Sequence, residues 1–227
     1  MNGLSAALGD LLPAAIGVAI SPIPIIATVL MLMSSRARTT APAFALGWVL
    51  GLTAVVVLVL FLAGPDGVDT SGSSTTTSWI RLVLGLLFVL LAANTWRKRP
   101  RAGQPAVQPK WMASLDRTTP AVAVGLGALL SGVNPKNLAL SVTGAVAIAS
   151  NDLTGTQEVV SVVVFVLIGS ILVVGPVVAF LVAGDRTAAP LGALKAFMEE
   201  HNAAIMTVLL AVLGASSLGK GLGGLLG

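Results

Sequence analysis

The sequence predicts an all-α integral membrane protein, with six transmembrane helices in two inverted three-helix repeats and with helices 1 and 4 broken. Three observations predict it. Of 227 residues, 56% are hydrophobic and only 10% are charged, where a soluble domain carries about 25% charged residues. The apolar residues fall in blocks of roughly 20, the length that crosses about 30 Å of hydrocarbon as a helix. Two blocks are interrupted in corresponding places, by Ser21-Pro22-Ile23-Pro24 and by Ser131-Gly132-Val133-Asn134-Pro135-Lys136.

Those interruptions organise the chain. Pro22, Pro24 and Pro135 have no N–H to donate, and each ring clashes with the carbonyl one turn back. A helix broken inside a membrane frees backbone groups that lipid cannot satisfy. Such a break is tolerated only against other protein or a watery cavity. Two breaks in matching places of two halves are the sequence pointer to a transporter's binding site. Pro22, Pro24, Gly132 and Pro135 are the break residues.

Taken in order, span 1 covers about 3–33 and is too long for one straight crossing. A break at 21–24, or a shallow approach through 3–12, absorbs the excess. Span 2 covers about 41–63, with Gly47 and Gly51 spaced as GxxxG for close helix approach. A polar, acidic, Ser/Thr-rich loop runs to Ser78. Span 3 covers about 79–96, with Trp79 and Trp96 where the two interfaces favour them. Residues 97–118 hold six basic residues and several prolines and read as a mobile linker between halves. Span 4 covers about 119–149, broken at 131–137, and span 5 about 159–183. Residues 187–200 look amphipathic and suit the interface plane. Span 6 covers about 203–218, before a Gly-rich tail. The domain division is therefore 1–96, first repeat; 97–118, linker; 119–227, second repeat.

Charge placement sets the orientation. All but three of the 13 Lys and Arg lie on one side of a six-span path, the exceptions being Arg81 and Lys220 opposite and Lys136 within span 4. The positive-inside rule then puts the linker in the cytoplasm and both termini outside. The same placement accounts for the net charge of +4 without a nucleic-acid partner. No basic n-region precedes the first apolar run, so no cleavable signal peptide is expected. Cys is absent, which excludes disulfides and thiolate metal sites.

The halves resemble each other. Gly17-Val-Ala-Ile-Ser21 matches Gly127-Ala-Leu-Leu-Ser131, and a proline follows each within four residues. Phe61-Leu62-Ala63-Gly64 matches Phe180-Leu181-Val182-Ala183-Gly184. Three spans per copy is an odd number, so the second copy enters from the opposite side and the repeat is inverted.

Several segments, in register over nearly the whole chain, carry a family resemblance. They are Ser21-Pro22-Ile23-Pro24-Ile25-Ile26, Ser34-Ser35-Arg36-Ala37-Arg38, Gly47-Trp48-Val49-Leu50-Gly51, Pro109-Lys110-Trp111-Met112 and Asn134-Pro135-Lys136-Asn137-Leu138. Together they resemble the GAP, or peptidoglycolipid-addressing, family of the lysine-exporter-like superfamily. The resemblance implies a six-helix exporter of the bacterial inner membrane, involved in moving cell-envelope glycolipids outward in actinobacteria. It leaves the substrate open, because relatives export amino acids and other small solutes.

Among individual residues, Lys136 is the sharpest candidate, the only basic residue well inside a span. An ammonium at mid-bilayer costs at least ~2.5–3.5 kcal/mol on insertion scales, so it should face a cavity or a partner. One reading is a counter-charge for an anionic substrate group, or a proton-coupling site. The other is a cap for the carbonyls of the broken helix. Asn134 and Asn137 offer donors and an acceptor to substrate or to unwound backbone. Ser21 and Ser131 suit close helix packing first and ligand contact second. Asp10 is a candidate ion or proton site, or an outer-interface residue. His201, beside Glu199 and Glu200, lacks a second ligand and makes a poor metal site. Asn94 reads as a helix–helix hydrogen bond.

No nucleophile–base pair, phosphate loop or metal constellation is present, so neither an enzyme nor a cofactor is expected, and energy must come from an ion gradient or a partner. The expected function is a secondary exporter or translocator of a cell-envelope glycolipid or related amphiphile, by alternating access about the two breaks. The alternatives are an exporter of amino acids or small polar solutes, and a non-transporting scaffold of a lipid-export complex. A homodimer or larger assembly is also expected, on the glycine faces at Gly47/Gly51 and 214–225.

Overall fold

The computed structural model describes residues 3–63, 75–99, 118–151 and 153–226. The sequence readings of most of the acidic loop and of the basic linker fall outside those residues, as does the Pro109–Met112 segment. The described residues are helical with no strand. The helices are α1 (Gly3–Ala19), α2 (Pro22–Leu32), α3 (Ala37–Ala63), α4 (Thr75–Arg97), α5 (Pro120–Gly132), α6 (Pro135–Ala149), α7 (Gly155–Ala183) and α8 (Ala188–Leu226). A 3-10 turn, Gly184–Thr187, separates α7 from α8. Gly184 starts it with φ +58°, a conformation costly for a residue with a Cβ.

Four helices, α3, α4, α7 and α8, are long and apolar enough to cross a membrane unaided, and α1 with α2 makes a fifth span bent by 49°. This is a multi-pass membrane protein. Its outer surface is apolar, with Phe61, Leu62 and Val182 largely exposed. Lipid, rather than protein, is the natural cover for such a surface.

Both breaks have the same local cause. Ser21 and Asn134 sit in extended conformation (ψ 110° and 119°), and a proline follows each at the first helical position. Proline disfavours the helical conformation in the residue before it. Its own fixed φ suits the first turn of a new helix, where its missing N–H is no loss. The prolines therefore start the second half-helices rather than lying in the gaps.

Glycines set the helix seams and reveal the directions. A Cβ on Gly47 would lie 2.7 Å from the carbonyl carbon of Val124, and one on Gly51 2.8 Å from Cα of Ala128. Gly132 meets Val55, so α3 and α5 run parallel. Along α4 and α8 the pairs are Ser78 with Gly224, Leu82 with Gly221, Gly85 with Leu218 and Val89 with Gly214, an antiparallel seam. Gly17 of α1 meets Leu140 of α6 and Leu209 of α8, while Asp10 of α1 meets Lys220 of α8, so α1 opposes α8.

These seams correct three expectations. The amphipathic stretch and span 6 are one continuous 39-residue helix, about 58 Å long at 1.5 Å per residue. The Gly-rich tail is helical to Leu226 and is packed against α4. Gly47, Gly51, Gly214 and Gly221, offered as dimer faces, are taken up within one subunit. The physical reason is common to all three: small residues at helical spacing bring two backbones together wherever a partner helix is at hand.

Candidate functional site at the helix breaks

Helix registers carry the two breaks to one level of the bundle. Gly17 lies against Leu140, and α1 runs antiparallel to α6. One turn further, Ser21 comes level with Lys136. Val18 of α1, Leu52 of α3 and Gly169 of α7 meet at one point, and Gly144 of α6 meets Phe165 of α7. Followed one turn toward the ends bearing Arg36 and Arg186, these registers bring Ser21, Trp48, Lys136 and Val173 to a common level. Ser21, Trp48 and Val173 are all buried there.

The second break is tied together by its own side chains. Asn134 caps α6: its Oδ1 accepts from the Lys136 backbone N–H at 3.1 Å. Asn137 spans the gap, donating from Nδ2 to the Leu130 carbonyl at 2.8 Å. That bond satisfies a carbonyl orphaned at the end of α5. Ser131, fully buried, donates back to the Ala128 carbonyl at 3.2 Å and packs against Gly51. Ser21 is buried at the other break and makes no capping bond to α2.

Three polar atoms near this level lack a partner among the described residues. They are Nζ of Lys136, Oδ1 of Asn137 and Nε1 of Trp48, all shielded from solvent. Ser170 Oγ, beside the Gly169 contact, is a fourth. Buried polar groups almost always find partners, so these atoms stand out. Lys136 forms no ion pair among the described residues. It is the second residue of α6, where the free N–H groups of a helix start already favour an anion. The ammonium adds to that field, and nothing described there offsets it.

Reading the sequence for sites passed over Trp48. Its position was the signal: tryptophan in a membrane helix favours the interfaces, where its N–H finds water. Trp48 instead lies 12 residues into a 27-residue helix, fully buried.

The remaining candidates lie elsewhere. Asp10 forms an ion pair with Lys220, both side chains substantially exposed, so α1 and α8 are clamped near the end opposite the basic loops. His201 stacks on Phe197 with ring centroids 4.5 Å apart, and Nδ1 lies 3.1 Å from the Phe197 carbonyl. No cluster of metal-binding side chains occurs among the described residues. Asn94 is exposed and makes no side-chain hydrogen bond among the described residues, correcting its expected helix–helix role. It faces outward on α4, away from the glycine seam with α8.

The family described as Sap, sulfolipid-1-addressing protein, matches residues 11–223. The chain belongs to this family. The match spans both breaks, the linker and the α4–α8 seam, and it agrees with the peptidoglycolipid-addressing resemblance carried by the sequence motifs. No curated protein and no solved structure matches the chain.

Proposed function

We propose that this Sap-family protein is an inner-membrane secondary translocator of a cell-envelope glycolipid or related amphiphile with an anionic group, working by alternating access about the two helix breaks. The observation that carries the proposal is the orphan ammonium of Lys136 at the level of the two breaks. The unpaired groups of Asn137 and Trp48 lie near the same level. The anionic group of the substrate binds Lys136, and Ser21 and Ser131 give the close packing on which the half-helices move.

The inverted repeat belongs to this proposal. α1–α2, α3 and α4 correspond to α5–α6, α7 and α8, each copy opening with a proline-restarted helix. Exchanging the copies exchanges the α3–α5 packing with that of α7–α1, and the α4–α8 seam maps onto itself. α5 is too short to span alone, and with α6 it completes the sixth crossing. The linker is cytoplasmic and both termini lie outside.

Proteoliposome flux tests the reading. A tail-labelled sulfated glycolipid and radiolabelled lysine are offered in parallel. Lipid movement that Lys136→Gln abolishes and Lys136→Arg partly retains supports the proposal. Lysine flux without lipid movement converts it to a small-solute exporter. If the parent moves neither substrate, and Lys136→Ala keeps an export complex intact, the chain is a scaffold.

A further inference from the structure

A second polar site lies at the other end of α1. A cavity of about 70 Å³ is lined by Asp10, Arg81, Thr143, Ser216, Ser217 and Lys220, among others. That volume holds several waters or one tetrahedral oxyanion. Its walls come from α1, α4, α6 and α8, all at the end of the bundle opposite Arg36, Arg38 and Arg186. Asp10 is 11 residues from Ser21, which puts the cavity roughly 16 Å from the breaks along the helix axis.

Among the described residues, two cations and one carboxylate face this cavity. Lys220 is paired with Asp10. Arg81 is half-buried and forms no ion pair among the described residues. One positive charge is left over, on the side chain whose planar fork best matches sulfate and phosphate oxygens.

The cavity adjoins the lipid-facing surface. Pro13 and Leu213 line it, and the same two residues line an open apolar groove of about 570 Å³ between α1 and α8. Ile16, Ile20, Ala204, Val208 and Val212 form its walls, and almost nothing polar faces it. A cationic pocket beside a hydrocarbon groove, with two wall residues in common, suits one class of ligand.

We propose that Arg81 and Lys220, with the α1–α8 groove, bind an amphiphile whose sulfate or phosphate head enters the cavity and whose acyl tail lies along the groove. The ligand comes from the bilayer, not from free anion. The proposal deepens the translocator reading, placing a second lipid station on the side opposite the basic loops. It concerns equilibrium binding and stands whether or not Lys136 proves to move substrate.

Asp10 gives the test a sign that misfolding cannot imitate. Its carboxylate competes with an incoming anion for Lys220, so Asp10→Asn should tighten binding. The assay is fluorescence anisotropy of tail-labelled phosphatidylglycerol with purified protein in maltoside micelles, with tail-labelled phosphatidylcholine as the zwitterionic control. Phosphatidylglycerol should bind the parent about tenfold more tightly than phosphatidylcholine, Arg81→Gln should remove that margin, and Asp10→Asn should widen it. Val208→Trp, on an exposed groove wall, should weaken both lipids. Millimolar sodium sulfate should not displace the probe. Equal affinity for the two lipids, an unchanged Arg81→Gln, or weaker binding by Asp10→Asn would overturn the proposal. Displacement by sulfate would overturn its lipid source, leaving an anion site only.

Discussion

Gly127 of α5 lies directly against the backbone of Trp48 in α3: a Cβ built on the glycine would come within 2.7 Å of the Trp48 amide nitrogen. The half-helix before the second break is thus held against the segment of α3 that carries one of the orphan polar groups. Backbone cannot swing aside as a side chain can. Gly127→Val should therefore force α3 and α5 apart and cost about 1–3 kcal/mol, the usual range for overpacking. Gly125, two residues earlier, has nothing within 4 Å of its Cβ position. Gly125→Ala should be neutral, or stabilising by up to about 1 kcal/mol through helix propensity. Thermal unfolding in detergent compares the pair, and equal losses would refute the seam.

The α4–α8 register can be locked. A Cβ on Gly224 would stand 3.4 Å from the Cβ of Ser78, close to the separation a disulfide needs. Ser78→Cys with Gly224→Cys should cross-link on mild oxidation. The same Ser78 variant with Gly223→Cys should not, because Gly223 has no neighbour within 4 Å of its Cβ position. Electrophoretic mobility without reductant reads the result, and the chain has no cysteine of its own to interfere. Cross-linking by Gly223 instead would mean the register is shifted by a residue.

Much of this arrangement was legible in the sequence, and the limits have physical reasons. Residues before proline favour extended backbone, so Ser21-Pro22 and Asn134-Pro135 locate both breaks to within a residue or two. The lone cation among apolar residues makes Lys136 conspicuous. Span 6 was less legible because glycine reads as a breaker when its partner is unknown. Gly214, Gly221 and Gly224 stay helical since α4 packs closely on their bare faces. Trp48 was marked only by its position inside span 2, and which helices bury its indole depends on packing that sequence does not carry. Pairings between distant residues, Asp10 with Lys220 above all, depend on which helices neighbour each other, and composition does not carry that.

Topology offers another test. The registers gather Arg38 and Arg99 at one end of the bundle and Gly155 and Gly223 at the other. On the positive-inside rule the first end is expected to be cytoplasmic. Single cysteines at Arg38 and Arg99 should react with a membrane-impermeant maleimide only after the cells are opened. Gly155→Cys and Gly223→Cys, both at exposed positions with open space, should react in intact cells whose outer envelope has been permeabilised. The reverse pattern would invert the orientation, and labelling of both sets in intact cells would break the six-span path.

Trp48 permits a sharper separation of folding from function than Lys136 does. Its indole nitrogen is buried and unpaired, and an unsatisfied buried donor costs about 1–3 kcal/mol. Trp48→Phe removes that donor while keeping an aromatic ring in the same space. The lost ring volume costs packing, and the lost orphan offsets it. Net stability should therefore change by no more than about 1 kcal/mol, far below the 3–5 kcal/mol of a Trp→Ala cavity. If the donor is kept for a substrate oxygen, lipid movement in proteoliposomes should fall about tenfold, the usual weight of one hydrogen bond to an anion. Detergent unfolding and flux are measured on the same preparation. Full flux with raised stability would show that the indole N–H serves neither fold nor transport, and would remove Trp48 from the site. A loss of stability matching the loss of flux would assign it to packing alone.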